Sequence, residues 1–248
     1  MPRTGRRVKR ILTRVPGVSA AQRLRIGYRA VPVSREYGFD RGLPVDRYYI
    51  EAFLGRSQAA DHYTPGLIGG RVLEIGGREY ADRFAPSEQQ GTRIDVLHEN
   101  AANPDATIVG DLTDPSTLPA ETFDCIICTQ TLPVIWDVRA ALTSLHAALR
   151  PGGVLLVTVP GITRALTPDR DHWGDWWRFT SSSLRRLAAD AFPGGDLEIV
   201  SYGNLLTATL FLQGFAAHEV APRELDLHDP DFEVIVALRA RRAESPPP

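Results

Sequence analysis

The chain has 248 residues, 43% hydrophobic and 23% charged, with 28 basic against 30 acidic side chains and a formal net charge of -2. At about 100–200 residues per domain this length suits one large domain, and the balanced composition excludes a disordered, collagen-like or coiled-coil chain. No stretch reaches the ~20 uninterrupted apolar residues of a membrane-spanning helix, and the N-terminus lacks the apolar block of a secretory signal, so a cytoplasmic location is expected.

Residues 1–35 read as a basic N-terminal arm: they carry ten Arg or Lys and no acid, leaving 18 basic groups against 30 acidic ones downstream. Within it Val8, Ile11, Leu12 and Val15 are spaced as one apolar helix face. Such an arm is a solvated extension or a surface that touches an anionic membrane; no nucleic-acid partner is expected.

Residues 36–240 read as the folded domain and 241–248 as a disordered tail. A short helix is expected over 46–54, with Asp46 as its N-cap. After a glycine-rich turn, Val72-Leu73-Glu74-Ile75 opens a strand. Further strands are expected over 93–97, 107–109, 123–128, 154–159, 197–202 and 232–239, and helices near Ala81 and over 134–149, 181–191 and 205–220. This alternation predicts a seven-stranded, mostly parallel sheet covered by helices on both faces, a Rossmann-like α/β fold. Cys125 and Cys128, three residues apart on one strand, fall on opposite faces and read as small buried hydrophobes.

In open α/β sheets ligands bind beyond the carboxyl ends of the strands. There stand Glu74-Ile75-Gly76-Gly77 after the first strand, Gly110-Asp111-Leu112 after the third and Thr129-Gln130 after the fourth. Asp95 follows Glu74 by 21 residues, close to the ~20-residue offset at which an acid meets ribose hydroxyls. The dinucleotide fingerprint G-x-G-x-x-G is absent, which disfavours a nicotinamide dehydrogenase.

With Phe123-Asp124 before a buried strand and Leu149-Arg150-Pro151-Gly152-Gly153-Val154, the order and spacing of these segments resemble the class I S-adenosylmethionine-dependent methyltransferases. Pro44-Val45-Asp46-Arg47-Tyr48-Tyr49 and Trp177-Arg178-Phe179-Thr180 are similar to small methyltransferases of glycan and natural-product pathways. The resemblance implies S-adenosylmethionine as cofactor and methylation of a hydroxyl on a sugar or glycosylated small metabolite. It places Glu74, Gly76 and Gly77 at the methionine part, Asp95 at the ribose, Asp111 and Leu112 at the adenine, and Thr129 and Gln130 at the methionine ammonium. Arg78 and Tyr80 stand where the family has further glycines. That departure leaves a second reading, a catalytically silent methyltransferase fold acting as a binding or partner subunit.

A hydroxyl acceptor needs a proton acceptor. The segment Asp169-Arg170-Asp171-His172-Trp173-Gly174-Asp175-Trp176-Trp177-Arg178 holds three of the four tryptophans. Within it His172, assisted by Asp171 or Asp175, is the expected base. Tyr48, Tyr49, Trp173 and Arg178 are expected to bind the acceptor. Metal-ligand spacing is absent, and the apolar run over 205–217 leaves a homodimer contact open.

Overall fold

The computed structural model describes residues 30–58, 67–86, 91–165 and 173–244. Most of the basic arm, the end of the tail, and both Asp171 and His172 lie outside the described residues. The elements run α1 (Val45–Gln58), β1 (Arg71–Ile75), α2 (Glu79–Phe84), β2 (Arg93–His98), β3 (Ile108–Val109), β4 (Phe123–Thr129), α3 (Val138–Ala148), β5 (Leu149–Pro160), α4 (Ser181–Ala191), β6 (Asp196–Tyr202), α5 (Leu205–Gln213), α6 (Pro222–Leu225) and β7 (Ile235–Arg241).

The seven strands form one sheet in the order β3-β2-β1-β4-β5-β7-β6, with only β7 antiparallel to its neighbours. Alternation along each strand feeds two cores. Val72, Cys125, Val154 and Leu156 face one layer with Val45, Tyr49, Phe53 and Leu210, whereas Leu73, Ile126, Leu155 and Val157 face the other with Leu142, Leu145 and Leu184. The two cysteines accordingly sit on opposite faces, both fully buried. Burial pushes the Cys128 thiol up to about 12 and raises Cys125 further, so both stay protonated and inert.

The seven expected strands are present, and three helix ends differ for local reasons. The helix expected from residue 134 begins at Val138, because Leu132–Val134 is a 3-10 turn and Asp137 then accepts from Ala140 N as N-cap. The helix expected to reach 220 stops at Gln213, where Gly214 takes φ 76 and closes it in the left-handed conformation. Asp46 is not an N-cap; it lies inside the first turn of α1. No helix among the described residues is long and apolar enough to cross a membrane.

Strand order reverses between β1 and β4, which leaves a crevice beyond their carboxyl ends. Gly76 and Gln130 are the first residues past those two strands.

Candidate functional site

Three cavities meet at this crevice. The first, about 850 Å³, is lined by Gly76, His98, Glu99, Asp111, Leu112, Gln130, Trp136, Asp137 and Trp173 among others. The second, about 480 Å³, lies beside it, shares Ile75 and Gly76 with it, and adds Glu74, Gly77, Tyr80, Arg47 and Thr129. The third, about 310 Å³, shares Gln130, Val134 and Trp173 with the first and Phe39 and Arg47 with the second.

Local conformation opens the junction. Gly76 has φ 91, and a Cβ built there would meet no atom within 4 Å, so the backbone borders open space that a side chain would enter. Its N–H donates to Leu97 O and its carbonyl accepts from Asn103 Nδ2. Gln130 is held at φ 54, a region non-glycine residues seldom occupy, by its N–H bond to Thr158 O at 2.8 Å. At Asp111, Oδ1 accepts from both the N–H and the hydroxyl of Thr113, each at 2.8 Å, which fixes the carboxylate at the cavity wall.

Glu74 is 2% exposed and accepts from Ala81 N at 2.6 Å and Tyr80 N at 3.3 Å. Arg78, the N-cap of α2, makes no side-chain cap bond, and the Glu74 carboxylate satisfies the helix's first donors instead. Burial outweighs those bonds and raises the Glu74 carboxyl to about 7. Arg78 turns outward to Asp82 in a two-pronged pair at 2.8 Å and does not line the three cavities. Tyr80 lines the second and stacks on Phe84; burial raises its hydroxyl to about 12, so it holds its proton at neutral pH. The two departures from the glycine pattern therefore do not fill the crevice.

The structure thus brings Glu74, Gly76, Gly77, Asp111, Leu112, Thr129, Gln130, Trp173 and Arg178 to one region. Asp95 is placed elsewhere. Three strand residues follow it, so it sits within β2 rather than at its end, 2% exposed, paired with Arg71 Nε at 2.7 Å and accepting from Thr107 Oγ1 at 3.1 Å. The imidazole and the acid at the strand's end are His98 and Glu99; counting from the strand end rather than from Glu74 would have found them. His98 meets Trp173 edge to face, with ring centroids 5.9 Å apart.

Tyr48 and Tyr49 are also displaced from the crevice. They line a separate 270 Å³ pocket with Tyr202 and Asp226, where Tyr48 donates to Asp226 at 2.7 Å and the nearly buried Tyr49 donates to Leu225 O at 3.0 Å. Asp175, its side chain 3% exposed, is held by two guanidinium nitrogens of Arg178, at 2.6 and 2.9 Å, and does not line the three cavities. Thr180 caps α4 and Phe179 before it is buried, while Trp176 and Trp177 pack on Trp136.

A family model described as "Methyltransferase domain" matches residues 50–191. No curated protein matches. Among solved structures, the chain resembles one from the complex between the Haloferax volcanii Trm112 methyltransferase activator and a methyltransferase, at 17% identity and TM-score 0.52, covering 86% of this chain and 96% of that one. It also resembles S-adenosylmethionine-dependent methyltransferases of Mesorhizobium loti, at 17% identity and TM-score 0.49 over 83% of this chain and 100% of that one, and of Archaeoglobus fulgidus, at 14% and 0.46 over 79% and 90%.

Proposed function

The chain belongs to the methyltransferase-domain family, whose methyl donor is S-adenosylmethionine, and from that premise we propose that it methylates a hydroxyl of a sugar or glycosylated small metabolite. The observation that carries the reading is the sharing of Gln130, Val134 and Trp173 between the largest cavity and the smaller one beside it. A donor in the first cavity therefore stands next to an acceptor in the third.

The residues fit the donor's chemistry. Asp111 and Glu99 offer carboxylate acceptors for the amine and hydroxyls of an adenosine, Gly76 leaves room for close backbone approach, and Glu74 with Thr129 borders the adjoining space for the methionine part. When bound, S-adenosylmethionine supplies an electrophilic methyl group on a sulfonium. The protein's work is then to orient the acceptor, exclude water and accept a proton.

The third cavity suits a hydroxylated ring. Tyr37, Phe39, Trp173 and Phe211 supply apolar faces, while Asp46, Arg47, Gln130 and Thr163 supply hydrogen-bonding groups. His172, the base expected from the sequence, remains a candidate from the segment between Pro160 and Trp173. The test is incubation of the full chain with S-adenosylmethionine carrying a tritiated methyl group and a panel of free, phosphorylated and nucleotide-linked sugars. Alkali-stable label that co-migrates with a sugar is expected. Label on other small hydroxylated molecules alone would replace the sugar acceptor, and no transfer at all by protein that binds the donor would favour the silent binding subunit.

A further inference from the structure

The third cavity contains a carboxylate whose role the sequence disguised as a helix cap. Asp46 is 7% exposed and lines the cavity together with Gln130, Val134 and Trp173, the three residues that also face the first cavity. Its oxygens are held from one side by its neighbour: Arg47 donates from its backbone N–H to Oδ1 at 2.8 Å and from its guanidinium to Oδ2 at 2.6 Å. Arg47 in turn lies over the Phe39 ring, 5.5 Å from the centroid, and lines both the second and third cavities. A buried carboxylate is retained only where pairing offsets its desolvation, and here a flexible partner that lines both the second and third cavities does so.

We propose that Asp46 is a catalytic residue, accepting the proton of the acceptor hydroxyl while Arg47 positions its carboxylate, an inference that rests on the methyltransferase reading above. In the balanced step the hydroxyl oxygen forms a bond to the methyl carbon, the carbon–sulfur bond breaks with its electron pair left on sulfur, and the hydroxyl proton passes to Asp46 and then to water. Burial, the largest influence on this group, raises the Asp46 carboxyl above its ordinary value against the opposing pull of Arg47. That moves a weak base toward the working pH. The other charged or titratable groups around it hold their protons or are already paired. Tyr80 from α2 and Tyr37 before α1 have hydroxyls raised by burial, and Arg178 is forked on Asp175.

The probe is 4-nitrophenol, a ring-borne hydroxyl that titrates near neutral pH and whose absorbance reports its proton. It is added to full-length protein saturated with S-adenosylhomocysteine, and saturation is established first, so that failure there overturns the methyltransferase reading and is read separately. In the wild type the anionic Asp46 beside the hydroxyl is expected to raise the bound probe's apparent pKa by about 1 unit or more. In Asp46→Asn, which keeps the side chain's shape, the rise is expected to vanish while S-adenosylhomocysteine affinity and the circular dichroism spectrum stay as in the wild type. The same probe titration in both proteins would overturn the proposal. Absence of bound probe at millimolar concentration would do so too, because the cavity would then not admit a ring-borne hydroxyl. If Asp46→Asn fails to fold, Asp46→Glu serves in its place. Retaining the carboxylate on a longer stem, it is expected to keep the rise, and a bound probe without it overturns the proposal.

Discussion

Arg71 Nε stands 2.7 Å from Asp95 Oδ2, and the pair joins the first residue of β1 to the middle of β2, away from the carboxyl ends of the strands. The Asp95 side chain is 4% exposed and the Arg71 side chain 29%, so one charge depends on the other for its solvation. Replacing Asp95 by Asn is expected to destabilise the fold by about 1–3 kcal/mol, the range for a lost hydrogen bond to a charged group. Affinity for S-adenosylhomocysteine is expected to stay within about twofold, a free-energy change too small to reflect a lost hydrogen bond to the ligand. Urea denaturation and calorimetric titration of one preparation check both halves.

Glu74 gives stability a defined pH dependence. Its carboxyl, raised from 4.5 to about 7 by burial, holds a proton in the folded protein that the unfolded chain has released. The folded state binds more protons in that window, so this group's contribution to stability is fully present below pH 4.5 and is lost as pH rises toward about 7. The loss is on the order of 2–3 kcal/mol. Glu74→Gln cannot ionise, and it is expected to flatten the fall in stability between those limits even though its amide serves the α2 donors less well. Denaturation midpoints measured across the window in both proteins decide it.

Asp46 and His172 make different kinetic predictions for the same reaction. Asp46→Asn is expected to lower kcat by about 10²–10⁴-fold and to remove the ascending limb of the pH profile. His172→Ala is expected to keep that limb. The measurement is kcat and KM against pH for the two variants, and loss of the limb in His172→Ala would return the proton to the histidine.

The sheet was legible because buried parallel strands write themselves as apolar runs, as in Val154-Leu155-Leu156-Val157, and because glycine follows β1, β3, β5 and β6, at Gly76, Gly110, Gly161 and Gly203. The same marks located Gly76 and Asp111, and the end of the apolar run Cys125-Ile126-Ile127-Cys128 located Gln130. Asp95 misled because a sequence offset counts intervening residues and not the three strand positions still to come after it. Tyr48 and Tyr49 misled because α1 is buried along much of its length, and its aromatics point into the core and a side pocket while Asp46 and Arg47 face the crevice. The only hint was a carboxylate placed between the buried residues Val45 and Tyr49, and a helix start explains such a residue equally well as a cap.

S-adenosylmethionine is expected to bind in the crevice beyond β1 and β4. The most direct test is calorimetric titration of the full chain with S-adenosylhomocysteine, alongside Asp111→Ala. One-to-one binding to the wild type is expected, weakened in the variant by about 1–3 kcal/mol, the worth of a hydrogen bond to a charged group. Binding of neither S-adenosylhomocysteine nor S-adenosylmethionine by folded wild-type protein, or unchanged affinity in Asp111→Ala, would contradict the placement of the donor described above.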